Sequence, residues 1–207
     1  IIGLTIIYLG GIIVESFYKN IKIIDNPDDL LVLVNKNNKL PDGFIPKKLT
    51  KISLEFATND KYMVKEAKEQ FEKLSSDAKK LGYKIIAVST YRTYDYQKQL
   101  FNNYLKEKGS DHTLKYSAKP GHSEHQTGLA VDVMGSNNDY NLFEESNEFK
   151  WMVNNAHKYG FILRYPKDKY SITGFKYEPW HYRYVGFKSA NYIYQNNLTL
   201  EEYIKNK

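Results

Sequence analysis

The chain has 207 residues, 42% of them hydrophobic, enough to bury one good core without a tandem-domain arrangement. It contains no cysteine, which excludes a disulfide framework and a thiolate metal site, so any metal centre must be built from His, Asp and Glu. A formal net charge of +6 suits a cell wall, a membrane surface or nucleic acid, and equally a merely soluble basic surface.

Residues 1–14 read IIGLTIIYLGGIIV and carry no charge. That run is shorter than the about 20 apolar residues a transmembrane helix needs. With no initiating methionine, and with Gly3, Gly10 and Gly11 poorly suited to a soluble helix, it reads as part of a membrane anchor or signal segment rather than a buried strand or helix. Residues 15–46, with the polar stretch NKNNKLPDG, read as a stalk leading into a domain over residues 47–207.

Within that domain, Met63, Ala67, Phe71, Leu74, Ala78 and Leu81 recur at three- and four-residue spacing, which predicts an amphipathic helix over 59–81 stopped by Gly82. Residues 84–89 predict a buried strand. A second helix follows over 94–108, with Leu100, Phe101, Tyr104 and Leu105 inward. Residues 115–128, rich in Gly, Ser, His and Lys, predict a loop, and 129–134 a strand. Ser146 is placed to cap a third helix whose apolar face is Phe149, Met152, Val153 and Ala156 and whose terminator is Gly160. Strands at 161–165 and 180–185 complete an α+β domain, with helices packed on a mainly antiparallel sheet.

Two clusters carry chemistry. In SEHQTGLAVDV, His125 and Asp132 are separated by Gly128, which lets the backbone turn sharply between a loop ligand and a strand ligand. In EPWH, Glu178 precedes His181 by three residues, with Pro179 stiffening the link. Two imidazoles and one carboxylate leave a fourth zinc position for water, as hydrolytic zinc sites require. Glu178 is then spare as the base that takes a proton from that water and delivers it to a leaving amine. His112 and His157 have no such company, and His157 falls on an expected exposed helix face; His122 reads as a loop residue or a group one shell removed from the metal.

These residues resemble the D-alanyl-D-alanine carboxypeptidase family of VanY type, in the wider group of zinc peptidases that includes the hedgehog domain. The pattern S-x-H-x-x-G-x-A-x-D is met by Ser123, His125, Gly128, Ala130 and Asp132, and E-x-W-H by Glu178, Trp180 and His181. A third element, S-x-Y-R-[ST]-x-x-x-Q-x-x-L-[FY], matches Ser89, Tyr91, Arg92, Thr93, Gln97, Leu100 and Phe101, so the resemblance spans about residues 84–186. It implies Zn2+ as cofactor and a pocket lined by Arg92, Gln97 and Ser123 for the substrate's C-terminal residue. A guanidinium suits the terminal carboxylate that a carboxypeptidase must grip. Trp180 is expected in the pocket wall, excluding water and stiffening the ligand loop.

The resemblance implies an extracytoplasmic, monomeric enzyme that removes the terminal D-alanine from peptidoglycan stem peptides. D,D or L,D preference would be set by loops such as 139–148 and 167–176. An endopeptidase of the same fold and a non-catalytic wall-binding module are the alternatives. The intact Arg92–Gln97 element speaks against the first and Glu178 against the second. A nucleic-acid partner is not expected, because no basic stripe interleaves with aromatics.

Overall fold

A computed structural model describes residues 17–207. Two small pairs come first: β1 (Lys22–Ile23) runs parallel to β2 (Asn38–Lys39), and β3 (Leu49–Lys51) antiparallel to β4 (Tyr62–Val64). The central sheet joins β5 (Ile86–Ser89), β6 (Ala130–Met134), β7 (Phe161–Leu163) and β8 (His181–Tyr184) in the order β5-β6-β8-β7, every pairing antiparallel. Around it lie α1 (Lys65–Lys80), α2 (Tyr94–Tyr116), α3 (Asn147–Asn155), α4 (Tyr170–Thr173), α5 (Phe187–Gln195) and α6 (Leu200–Lys205). The expected α+β class, with helices on an antiparallel sheet, is what the chain adopts.

Strand alternation separates two faces of this sheet. Val131, Val133, Phe161, Tyr182 and Tyr184 point into the main core, where they meet Ala67, Phe71, Leu74 and Ala78 of α1. Asp132, His181, Arg183 and Ile162 occupy the intervening positions and share the opposite face through the pairs Asp132↔His181 and Ile162↔Arg183. One face thus supplies the apolar core, and the other carries the charged groups described below.

Helix α1 begins later than its periodicity predicts, because residues 62–64 pair with β3. Met63 is therefore buried from a strand. Leu81, expected inward, lies just past the last helical turn and is 63% exposed. Helix α2 runs to Tyr116, past the expected end, but breaks at Gly109, whose φ of 77° only glycine adopts without strain. Of its four expected inward residues Phe101 is buried, and Leu100, Tyr104 and Leu105 are partly covered. Ser146 caps α3 as expected, accepting a hydrogen bond from the Phe149 N–H at 3.0 Å. A 3-10 turn over Ala156–Tyr159 then leads to Gly160, φ 82°. Met152 and Ala156 are buried, whereas Val153 is exposed. His157 is not on an exposed face: it is buried and stacks on Tyr194 with ring centroids 3.7 Å apart.

The described part of the expected stalk is folded onto the domain. Val32, Val34 and Leu40 lie in the main core, while Leu31 and Leu33 pack against Ile162, Val185 and Ile193. The apolar run at 30–34 thus alternates between two clusters, and Arg183 donates hydrogen bonds to the carbonyls of Leu30 and Val32. A run that buries both sides of an extended backbone belongs to the folded unit. The anchor or signal expected at residues 1–14 lies outside the described residues. Among the described residues no helix is long and apolar enough to cross a membrane.

Candidate active site

The sheet register sets the centre of the site. Asp132 on β6 is paired with Ser89 on β5 and with His181 on β8, so the three stand abreast. His125 arrives from a 3-10 turn, Glu124–Thr127, that ends on Gly128 at φ 70°. A Cβ at Gly128 would lie 2.9 Å from Leu49 Cδ2 and 3.2 Å from the Val64 nitrogen, so both conformation and packing require glycine there. This is the sharp turn between His125 and Asp132 that the sequence predicts.

The donor atoms of His125, Asp132 and His181 converge. His125 Nδ1 lies 2.7 Å from the Thr90 carbonyl and donates to it, which leaves the Nε2 lone pair facing Asp132 Oδ2 at 3.2 Å. His181 Nδ1 lies 2.8 Å from Asp132 Oδ1. One donor atom from each of His125, Asp132 and His181 lies within 4.8 Å of the others, a set that could hold a metal ion. Four-coordinate zinc with bonds of about 2.0–2.1 Å has ligand atoms about 3.3 Å apart, and the contact of His125 Nε2 with Asp132 Oδ2, at 3.2 Å, falls near that spacing. All three residues are buried.

Glu178 sits at the turn into β8, held by the hydrogen bond of the His181 N–H to its carbonyl (3.2 Å) and of its own N–H to the Tyr165 carbonyl (3.2 Å). Its carboxylate approaches His181 Nδ1 to 3.9 Å and is only 7% exposed. Burial pushes its pKa up to about 8; His181 and Arg92 oppose the rise, and Asp132 and Glu124 add to it. Burial would raise Asp132 too, but the charges and hydrogen bonds of His125 and His181 hold it well below the usual carboxylate range. Burial, with Arg92 nearby, lowers His125 to about 4, keeping it neutral as a ligand must be. Burial would lower His181, but its hydrogen bond to Asp132 and the neighbouring carboxylates of Glu124 and Glu178 raise it to about 9. Carboxylate surroundings that favour a proton there favour a divalent cation as well.

Arg92 is fixed by three acceptors: Nε donates to Ser89 Oγ (2.9 Å), Nη1 to Gln97 Oε1 (3.2 Å) and Nη2 to Asp132 Oδ2 (2.8 Å). Gln97, buried, donates onward to the Ala118 carbonyl at 2.8 Å, tying α2 to the loop beyond it. Ser123 and Trp180 line the same cleft, of about 1250 Å³, and Trp180 meets Tyr140 edge to face at 5.3 Å. The structure thus gathers every residue singled out for the site into one cavity. His122 lies apart from it, its Nδ1 bonded to the Asn35 carbonyl at 2.8 Å.

Five further residues surround the site without having been read from the sequence. Glu124 is buried next to His125; its Oε1 accepts from Arg164 Nε and Arg183 Nη1, both at 2.7 Å, while its Oε2 faces His181 Nε2 at 3.6 Å. Neither Oε2 nor that Nε2 has a hydrogen-bond partner among the described residues. Arg164 also forms a two-pronged ion pair with Glu201 of α6 (2.7 and 2.8 Å). Tyr165 stacks on the His181 ring at 4.9 Å. The available signal was an arginine inside each of two apolar, aromatic strands, FILRY and HYRYV, next to an acid beside a ligand.

Residues 60–187 match the family model described as VanY, D-alanyl-D-alanine carboxypeptidase. The candidate carboxypeptidase YodJ of Bacillus subtilis (strain 168) is 45% identical over 92% of this chain and 75% of its own length. Among solved structures, the LdcB LD-carboxypeptidase, described for its peptidoglycan recognition, superposes with a TM-score of 0.84 at 45% identity, over 90% of this chain and 91% of that one. The vancomycin-resistance D,D-pentapeptidase VanY, a mutant solved with Zn(II), gives 0.73 at 35% identity, over 84% and 98%. With a matched model spanning its central sheet and every residue of its buried His–Asp–His cluster, the chain belongs to the VanY family of D-alanyl-D-alanine carboxypeptidases.

Proposed function

We propose that this protein is a zinc carboxypeptidase that releases the C-terminal D-alanine of peptidoglycan stem peptides, with His125, Asp132 and His181 holding the metal and Glu178 as general base. The observation that carries this is the convergence in one cleft of three pre-aimed donor atoms, a buried carboxylate 3.9 Å from one of them, and an anchored guanidinium. Zinc supplies Lewis acidity for the scissile carbonyl and lowers the pKa of water towards about 7.

The chain's own residues do the rest. Arg92, Gln97 and Ser123 line the subsite for the terminal residue, where Arg92 keeps one unused N–H on each terminal nitrogen for the carboxylate. Trp180 and Tyr140 wall off solvent. Glu178 takes a proton from the water that attacks the carbonyl carbon; as the C–N bond breaks, the same proton passes to the nitrogen of the departing D-alanine. The anchored Arg92 favours exopeptidase over endopeptidase action, and Glu178 favours catalysis over wall binding alone.

Greater identity to the LdcB LD-carboxypeptidase than to the D,D-pentapeptidase, 45% against 35%, favours the tetrapeptide stem as substrate. The enzyme acts outside the cytoplasm as a monomer, with residues 1–14 as its membrane anchor or signal. Mass spectrometry of defined tetrapeptide and pentapeptide stems incubated with the protein tests the reading. Loss of one alanine, abolished by a chelator and restored by zinc, is expected; no release from either stem would overturn it.

A further inference from the structure

Arg92 is not the only cation facing the substrate cleft. Lys61 lines it too, half-buried, one residue before β4. Its ammonium forms no ion pair or hydrogen bond among the described residues, and the adjacent acid is engaged elsewhere: Asp60 pairs with Lys51 at 2.6 Å. The charges that act on Lys61 are those of Arg92 and Asp132; burial first, then Arg92, lowers its pKa, and Asp132 opposes them. A partly desolvated ammonium beside a second cation is unfavourable unless an anion joins it.

Its backbone is built into the site. The Ile52 N–H donates to the Lys61 carbonyl (2.8 Å), the Tyr62 N–H to Thr90 Oγ1 (3.1 Å) and the Tyr91 N–H to the Tyr62 carbonyl (3.0 Å). Those bonds weld Lys61 to the loop that carries Arg92 and whose Thr90 carbonyl orients His125. Arg92, by contrast, has spent three of its five N–H groups on Ser89, Gln97 and Asp132.

We infer that Lys61 is a second, specificity-determining cation of the carboxylate subsite, its free ammonium meeting the substrate's C-terminal carboxylate opposite the fixed guanidinium of Arg92. The inference rests on the carboxypeptidase reading for the identity of the ligand. The geometry divides the labour: Arg92, tied to Asp132, sets direction, and Lys61, on a flexible stem, follows the carboxylate.

The test compares Lys61→Met and Lys61→Arg with the unaltered chain, all zinc-loaded and carrying Glu178→Gln to suppress turnover. Binding of an acetylated stem tetrapeptide with a free C-terminal carboxylate, and of its C-terminal amide, is measured by calorimetry. Lys61→Met is expected to weaken the free acid about 10- to 100-fold, the range for a lost charge-assisted hydrogen bond, with the amide bound as before and Lys61→Arg restoring most of the loss. In the turnover-competent chain, Lys61→Met should raise KM for the free acid and leave kcat nearly unchanged. Equal binding of the free acid by Lys61→Met and the unaltered chain, or equal loss for acid and amide, would overturn the inference. Because binding decides it, absence of turnover in the unaltered chain would count against the carboxypeptidase reading alone.

Discussion

Replacing Glu124 by alanine should damage stability and metal affinity together. Glu124 neutralises two guanidiniums with no exposed surface, those of Arg164 and Arg183. Breaking a buried ion pair from one side costs about 3–5 kcal/mol, because the partner charge stays buried. Arg164 keeps Glu201, while Arg183 keeps only carbonyls, those of Leu30, Val32 and Tyr184, so one charge rather than two loses its counterion. The lower end, about 3 kcal/mol, is therefore expected. In urea denaturation of the metal-free protein this lowers the midpoint by about 1–2 M at unchanged slope. Loss of the acceptor facing His181 Nε2 should also weaken zinc about 10- to 100-fold, as removal of such ligand-orienting groups does. Glu124→Gln separates the two effects: its carbonyl oxygen can still serve the arginines, leaving an NH2 group aimed at the His181 N–H, so metal affinity suffers more than stability. A stability change below about 1 kcal/mol for Glu124→Ala, with zinc affinity unchanged, would refute the reasoning.

Glu178→Gln should keep zinc and slow hydrolysis by at least about 100-fold, whereas His181→Ala loses both; metal analysis beside the stem-peptide assay checks this, and equal zinc loss in the two variants would reverse the assigned roles. Gly160→Ala should cost about 2 kcal/mol in urea denaturation, since the residue sits at φ 82° and its Cβ would lie 2.6 Å from Tyr184 Cε2; a loss under about 0.5 kcal/mol would mean the loop shifts freely. Lys36, caged by Phe17, Tyr18, Tyr170 and Phe175, is lowered to about 8 by burial and by Lys119. Between about pH 8 and the ordinary lysine value the unfolded chain binds more protons than the folded one, so this contribution to stability grows as pH rises and is lost as pH falls through 8. Unfolding measured against Lys36→Met across that window should show it, and a difference independent of pH would refute it.

The cluster that could hold a metal was legible because its pattern is local: His125, Gly128 and Asp132 lie within eight positions, and Glu178 and His181 within four. Periodicity found the helices, but it could not distinguish Met63 on a strand from Met63 on a helix, since the β3–β4 pairing that decides it joins Met63 to Thr50, well outside a helical turn. The stalk failed for a related reason. A five-residue apolar run is ambiguous until something covers both of its sides, and the covers for Val32 and Leu33 come from the far end of the chain. Lys61 and the network of Glu124, Arg164, Arg183 and Glu201 were illegible for the same cause: a charge is read as a solvated surface group until its counter-charge, distant in sequence, is placed.

The proposal of Glu178 as base is supported by that network as well as by the motif. Glu124, Asp132 and Glu178 are all buried around one imidazole, and any of them could in principle take a proton. Glu124 is bound by two arginines through Oε1 and Asp132 by Arg92 and both histidines, so each is held ionised. Glu178 alone has no hydrogen-bonded cation, and it alone is raised, to about 8. A divalent cation held by His125, Asp132 and His181 would lower that value and leave the Glu178 carboxylate ionised near neutrality, still basic enough to accept a proton. In the proposed mechanism, two carboxylates pinned by cations and one left free would divide the work: the pinned pair would hold the metal centre in shape, and the free one would move the proton.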